Sequence, residues 1–132
     1  MQAALEQIRD FVNDEEHLAS EVREAIRILL RANNGIAEGV DAAAQTLDRA
    51  ARRAGLRAGF ERGELVFEAS DAVLAAVAQA MADGSWSRLK ACRADDCRWA
   101  FIDTARNRSR QWCDMSVCGN RAKARRFRAR HA

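Results

Sequence analysis

Four cysteines are the residues of this chain best suited to chemistry: Cys92, Cys97, Cys113 and Cys118, spaced C-x4-C-x15-C-x4-C. Two close pairs separated by a hairpin-sized insert suit a tetrahedral ion, because each pair clips one end of a small fold to the metal. Thiolate-only sites favour zinc or iron over harder ions. A full set of thiolates closes the zinc shell and leaves no position for water, which points to structure and away from catalysis. Two other readings stand beside zinc: a pair of disulfides, or a thiol switch that ejects the metal on oxidation. The segment Met1–Asp10 has neither the basic start nor the apolar run of a secretory signal. The expected compartment is therefore the cytoplasm, where stable disulfides are rare.

The residues around the cysteines fit a metal module. Trp99 and Phe101 alternate after Cys97, with Ile102 adding bulk, as in a strand that covers the site. Trp112 precedes Cys113 and is placed to shield the thiolates. Past Cys118 the chain predicts a helix over Val117–Arg130, with Val117, Ala124 and Phe127 on one stripe facing the module and the arginines pointing away. About 45 residues bury too little surface to fold alone, so metal binding supplies part of the stability.

Charge divides the chain in the same place. Residues 1–85 carry nine Arg and fifteen Asp or Glu, a net charge of −6. Residues 86–132 carry eleven Arg, two Lys and four Asp, a net charge of +9. A strongly basic end on an acidic body has two readings: a surface for a polyanionic partner, or a solvated charged tail. A membrane role is excluded for helices, since the longest stretch free of charge, residues 72–82, has 11 residues.

Residues 1–85 must position that module, and they read as helical. Leu5, Ile8 and Val12 form a first stripe, with Asn13 and Glu16 resembling a capping box for a second helix. Leu18, Val22, Ile26, Leu29 and Leu30 line that second helix, which Asn33-Asn34-Gly35 stops. A third runs through Val40, Leu47 and Ala51 to Gly55. Alternation in Leu56-Ala58-Phe60 and Leu65-Phe67 around Glu61-Arg62-Gly63 predicts a hairpin. Ser70 or Asp71 caps a fourth helix that Gly84 closes. His17, alone beside acidic residues, reads as a surface histidine. The expected class is mainly α with small β elements. A helical domain with one β-hairpin (1–85) is followed by a zinc-ribbon or treble-clef-like module (86–132) ending in a basic helix.

The run Cys113-Asp114-Met115-Ser116-Val117-Cys118-Gly119-Asn120-Arg121 resembles the signature of the CGNR zinc finger family. Phe101-Ile102-Asp103-Thr104-Ala105-Arg106-Asn107 and Arg110-Gln111-Trp112 are similar to that family's stretch between the cysteine pairs. The resemblance covers about Leu89 to Arg128. It implies one structural zinc ion held by Cys92, Cys97, Cys113 and Cys118, an upstream ABATE-like helical domain in shortened form, and a bacterial transcription regulator.

Asn120 and Arg121 have two readings: phosphate contacts at a helix start, or structural partners beside the metal, with Asn120 satisfying backbone and Arg121 pairing with Asp103. The second is favoured. Lys123, Arg125, Arg126, Arg128 and Arg130 are the candidates for phosphate contacts on the last helix, with Arg106, Arg108 and Arg110 as a second anchor. DNA is the favoured partner. An RNA module stacking bases on Trp99, Phe101 and Trp112, or a protein-interaction module stapled by zinc, are the alternatives. A homodimer through the N-terminal helices and an unidentified small effector are further expectations. No nucleophile–base pair is present, so an enzyme is not expected.

Overall fold

The computed structural model describes residues 2–14 and 20–131. In chain order these form helices α1 (Gln2–Asn13), α2 (Glu21–Ala32) and α3 (Val40–Arg53), strands β1 (Arg57–Glu61) and β2 (Glu64–Glu68), and helix α4 (Ala72–Asp83). A 3-10 turn over Ser85–Arg88 leads to strands β3 (Leu89–Ala91) and β4 (Ala100–Ile102). A wide π-type turn over Met115–Gly119 then opens helix α5 (Asn120–His131). The chain is mainly helical with two small antiparallel sheets, the second followed by a helix, as the expected mainly α class with small β elements and a C-terminal zinc module requires.

Local chemistry explains most boundaries. Ser20, not Asn13, caps α2: its side chain accepts from the Arg23 N–H, which satisfies an orphan donor of the first turn. Glu16, His17 and Leu18 lie outside the described residues. Asp71 caps α4 by accepting from the Val73 N–H. Arg62 (φ 52°) and Gly63 (φ 79°) are both left-handed, the backbone a two-residue hairpin turn requires.

The main core gathers Leu5, Ile8 and Val12 of α1, Ile26 and Leu30 of α2, and Ala76, Val77 and Ala80 of α4. It also takes in Leu89 and Ala91 of β3 and Ala100 and Ile102 of β4. Side chains alternate across a strand, so the remaining hairpin residues, Lys90 and Phe101, face the other way as a cross-strand pair. Phe101 packs in a second core with Cys92, Ala94 and Cys118. The β3–β4 hairpin is thus a wall shared by the helical body and the cysteine module, which explains why all six of its residues are buried.

Three asparagines from the helical body fasten this wall. Asn13 holds both the Ala100 carbonyl (2.9 Å) and the Ala100 N–H (2.8 Å), standing in for a strand on the β4 edge. Asn33 donates to the Trp86 (3.0 Å) and Leu89 (2.9 Å) carbonyls. Buried Asn34 donates to those of Ala91 (2.9 Å) and Gln111 (2.8 Å). These asparagines also stand at helix ends, the only role their local sequence suggests.

Candidate metal centre

Cys92 directly follows β3 and Cys97 precedes β4, so the first cysteine pair sits in the β3–β4 connection. The insert between the pairs supplies one strand, β4, while its partner β3 precedes Cys92, so the hairpin encloses the first pair; residues 103–112 form a loop after β4. The Cys92 N–H donates to the Trp99 carbonyl (2.8 Å), and the N–H groups of Cys97 and Arg98 both donate to the Ala94 carbonyl. Arg98 takes a left-handed φ of 55° to close this knuckle, and its guanidinium pairs with Glu24 of α2. The second pair rides on the π-type turn. Asp114 organises that turn, its side chain accepting from the Ser116 N–H and Oγ and its carbonyl from the Val117, Cys118 and Gly119 N–H groups.

These elements bring the four Sγ atoms within 4.8 Å of one another. Cys97 and Cys113 are separated by 3.4 Å, and Cys113 and Cys118 by 3.6 Å. Sulfurs around a tetrahedral zinc, at a Zn–S bond of about 2.3 Å, lie roughly 3.8 Å apart. All four cysteines are free thiols. As thiolates, the donor set suits a divalent cation. Burial pushes the Cys97 and Cys113 thiols up, and the neighbouring cysteines raise Cys113 further. Burial acts in the same sense on Cys118, but hydrogen bonds from Arg121 and the other cysteines outweigh it and hold that thiol below its ordinary value. Four thiolates this close repel unless a divalent ion lies among them. The site fits one structural zinc ion.

Around the sulfurs, Arg121 donates to Cys118 Sγ (3.2 Å) and to Asp96 (3.0 Å). Its partner is therefore Asp96 and not the expected Asp103. Zinc with four thiolates carries a net charge of about −2, which a guanidinium at this distance offsets. Asn120 donates one turn back to the Ser116 carbonyl (3.2 Å). Trp112 and Cys113 are half-buried against the cysteine core. Trp99 is 45% exposed, whereas Phe101 is buried. Of the strand expected to cover the metal, only Phe101 covers it.

Asp103 is fully buried and organises the loop 103–110. It pairs with Lys90 (2.7 Å) and accepts from the Ala105 and Arg110 N–H groups. Burial works against its charge, but these three donors win and hold its carboxyl below the usual range. Lys90 spends its remaining protons on the Arg108 (2.7 Å) and Arg110 (2.9 Å) carbonyls. Lys90 is a site residue with no motif to mark it; the one local signal is a lysine inside the short apolar run Leu89-Lys90-Ala91.

The expected phosphate-contacting residues divide. Arg110 lies over the Phe101 ring at 4.5 Å and donates to the Trp112 and Cys113 carbonyls, so its guanidinium is committed within the loop. Arg108 donates to Ser87 (3.0 Å), and Arg106 is exposed. Arg125 lies 3.8 Å from Asp96. Lys123, Arg126, Arg128 and Arg130 are exposed and meet no carboxylate among the described residues. Helix α5 buries no residue at all. Val117 and Phe127, expected to face the module, are 51% and 59% exposed, and Phe127 stacks on His131 instead.

No helix among the described residues is long and apolar enough to cross a membrane. Residues 88–131 match the family model of the CGNR zinc finger. No curated protein matches the chain.

Proposed function

We propose, from the match of residues 88–131 to the CGNR zinc finger model, that the chain is a DNA-binding protein of the transcription-regulator kind. The four thiolates and their ion hold the start of α5, and the helix carries its cations to a phosphate backbone. The observation behind this is the state of α5: a helix that buries nothing and keeps Lys123, Arg126, Arg128 and Arg130 without carboxylate partners among the described residues. Lys123, Arg126 and Arg130 follow at i, i+3 and i+7 and share one face, so they can meet successive phosphates. With every thiolate committed to the metal, this is a binding role and not a catalytic one.

Fluorescence anisotropy on a labelled duplex, titrated across salt concentration, tests it. Binding should weaken with salt by about 0.9 log units per log unit of salt for each phosphate contacted. The triple variant Lys123→Gln, Arg126→Gln, Arg130→Gln should lower that slope by about 2.7 while keeping its zinc. Salt-independent affinity, or an unchanged slope in the triple variant, would contradict the proposal.

One observation favours a second partner class. The exposed Trp99 indole could stack a single-stranded base. The three aromatics of that reading reduce to one, because Phe101 is buried and Trp112 packs on the cysteines. Competition between single-stranded RNA and duplex DNA separates the two.

A further inference from the structure

The β1–β2 hairpin is a two-stranded sheet with both outer edges unpaired by any strand among the described residues. Its register runs Arg57↔Glu68, Gly59↔Val66 and Glu61↔Glu64. A two-residue turn closes on a hydrogen-bonded pair, here Glu61↔Glu64. Gly59 and Arg57 therefore bond inward to β2, while Ala58 and Phe60 aim their N–H and C=O groups outward. An open edge of this kind is a template for another strand.

We propose that the partner is a second copy of this chain, paired antiparallel through β1 about a two-fold axis at Gly59. The sequence Arg57-Ala58-Gly59-Phe60-Glu61 is self-complementary in that register. Ala58 meets the partner's Phe60 as a hydrogen-bonded pair, so all four outward-facing groups of each strand are satisfied. Arg57 meets the partner's Glu61 as a non-hydrogen-bonded pair, where side chains lie closest. Three further observations converge on this register. Glu61 and Glu64 face each other within the chain as like charges and take part in no ion pair among the described residues, and the partner's Arg57, which in its own chain pairs with Glu68 (2.7 Å), is delivered beside them. Phe60 is 83% exposed and Leu65 43%; pairing makes a continuous apolar row of Leu65, Phe60 and the partner's Ala58 and Phe67. Gly59 has no positive φ, and a Cβ there would meet nothing within 4 Å. No in-chain turn or packing requires a glycine, whereas two backbones meeting on the axis tolerate one well. The β2 edge lacks this property: pairing it with itself about Val66 sets Glu64 against the partner's Glu68. The contact is isologous and closes as a dimer. It is independent of the nucleic-acid proposal, and it places the interface on the hairpin and not on the helices.

A single strand pair buries less than a standard interface, so the dimer should dissociate on dilution. Sedimentation equilibrium of the full zinc-loaded chain over a dilution series should show a mass rising from 14.7 kDa to twice that value. Ala58→Pro removes only an outward N–H, which an edge strand tolerates; it should hold the chain at monomer mass with an unchanged circular dichroism spectrum. Arg57→Glu and Glu61→Arg should each be monomeric alone, because each sets like charges across the axis. Their equimolar mixture should regain the dimer, since every cross-axis pair is then opposite in sign. This mixture keeps the test valid even if the proline variant misfolds. A monomer at the concentrations of an NMR sample, a dimer indifferent to Ala58→Pro, or open-ended assemblies would overturn the proposal.

Discussion

Lys90 and Asp103 show how a buried charge pair is kept. Each of the three ammonium protons has an acceptor, and the carboxylate is met by two backbone donors besides the lysine. Removing one member strands the other in a dry site. We expect Lys90→Met to destabilise the protein by about 3–5 kcal/mol in urea unfolding at neutral pH. The sign of the pH effect follows from the depressed carboxyl of Asp103. Its contribution is fully present above the unfolded value of about 3.9 and is lost as pH falls through the lower folded value. Carbon-detected NMR titration should find the Asp103 midpoint below about 3.9; a raised midpoint would contradict the hydrogen-bond account. At the metal, Arg121→Ala removes the donor to Cys118 Sγ and the tie to Asp96 together. Loss of such a partner costs metal affinity about 10–100-fold, readable by competition with a chromophoric chelator. Arg121→Lys should recover only part of it, because a single ammonium lacks the fork that reaches both groups.

At the scale of elements, the asparagine clamps decide how the β3–β4 wall sits on the helices. Asn34→Ala leaves the Ala91 and Gln111 carbonyls without their donor. A cost of about 1–3 kcal/mol is expected for each buried group left unsatisfied, measured by thermal unfolding with zinc present. A loss within error would mean that the clamp adds nothing to packing. The same elements show what the sequence could convey. Helical stripes, the Arg62-Gly63 turn and the cysteine spacing were legible because each is a local signal with a local cause. Asn13, Asn33 and Asn34 were read as helix-end residues because their real partners lie 53 to 87 positions away, and no local pattern announces such a bond. Arg121 was expected to pair with Asp103, and no spacing in the sequence marks Asp96 as its partner. Asp96 wins in space, since the knuckle folds it beneath the first turn of α5. The exposed faces of Val117 and Phe127 were misjudged for a related reason: helical spacing marks a stripe but does not say that anything lies against it.

For the whole molecule, a sheet shared between two cores ties metal binding to only part of the fold. The inner face of β3–β4 packs on α1, α2 and α4 through Leu89, Ala91, Ala100 and Ile102, which belong to a different cluster from the cysteine core. Chelation should therefore release residues 92–98 and 111–131 while the helices and the β3–β4 strands stay folded. Hydrogen exchange should show protection lost in the former and kept at 89–91 and 100–102. Global unfolding on chelation would mean that the ion holds the wall itself. The basic α5 then depends on the metal for its position and not for its charge, so zinc loading and nucleic-acid affinity should fall together.

The direct measurement is metal content by mass spectrometry on reduced, purified chain, with thiols counted before and after chelation. One zinc per chain, with all four cysteines unreactive until the ion is removed, is the expected result. A chain that carries no zinc and whose cysteines are joined as disulfides, or thiols that react freely with metal bound, would contradict a closed four-thiolate centre.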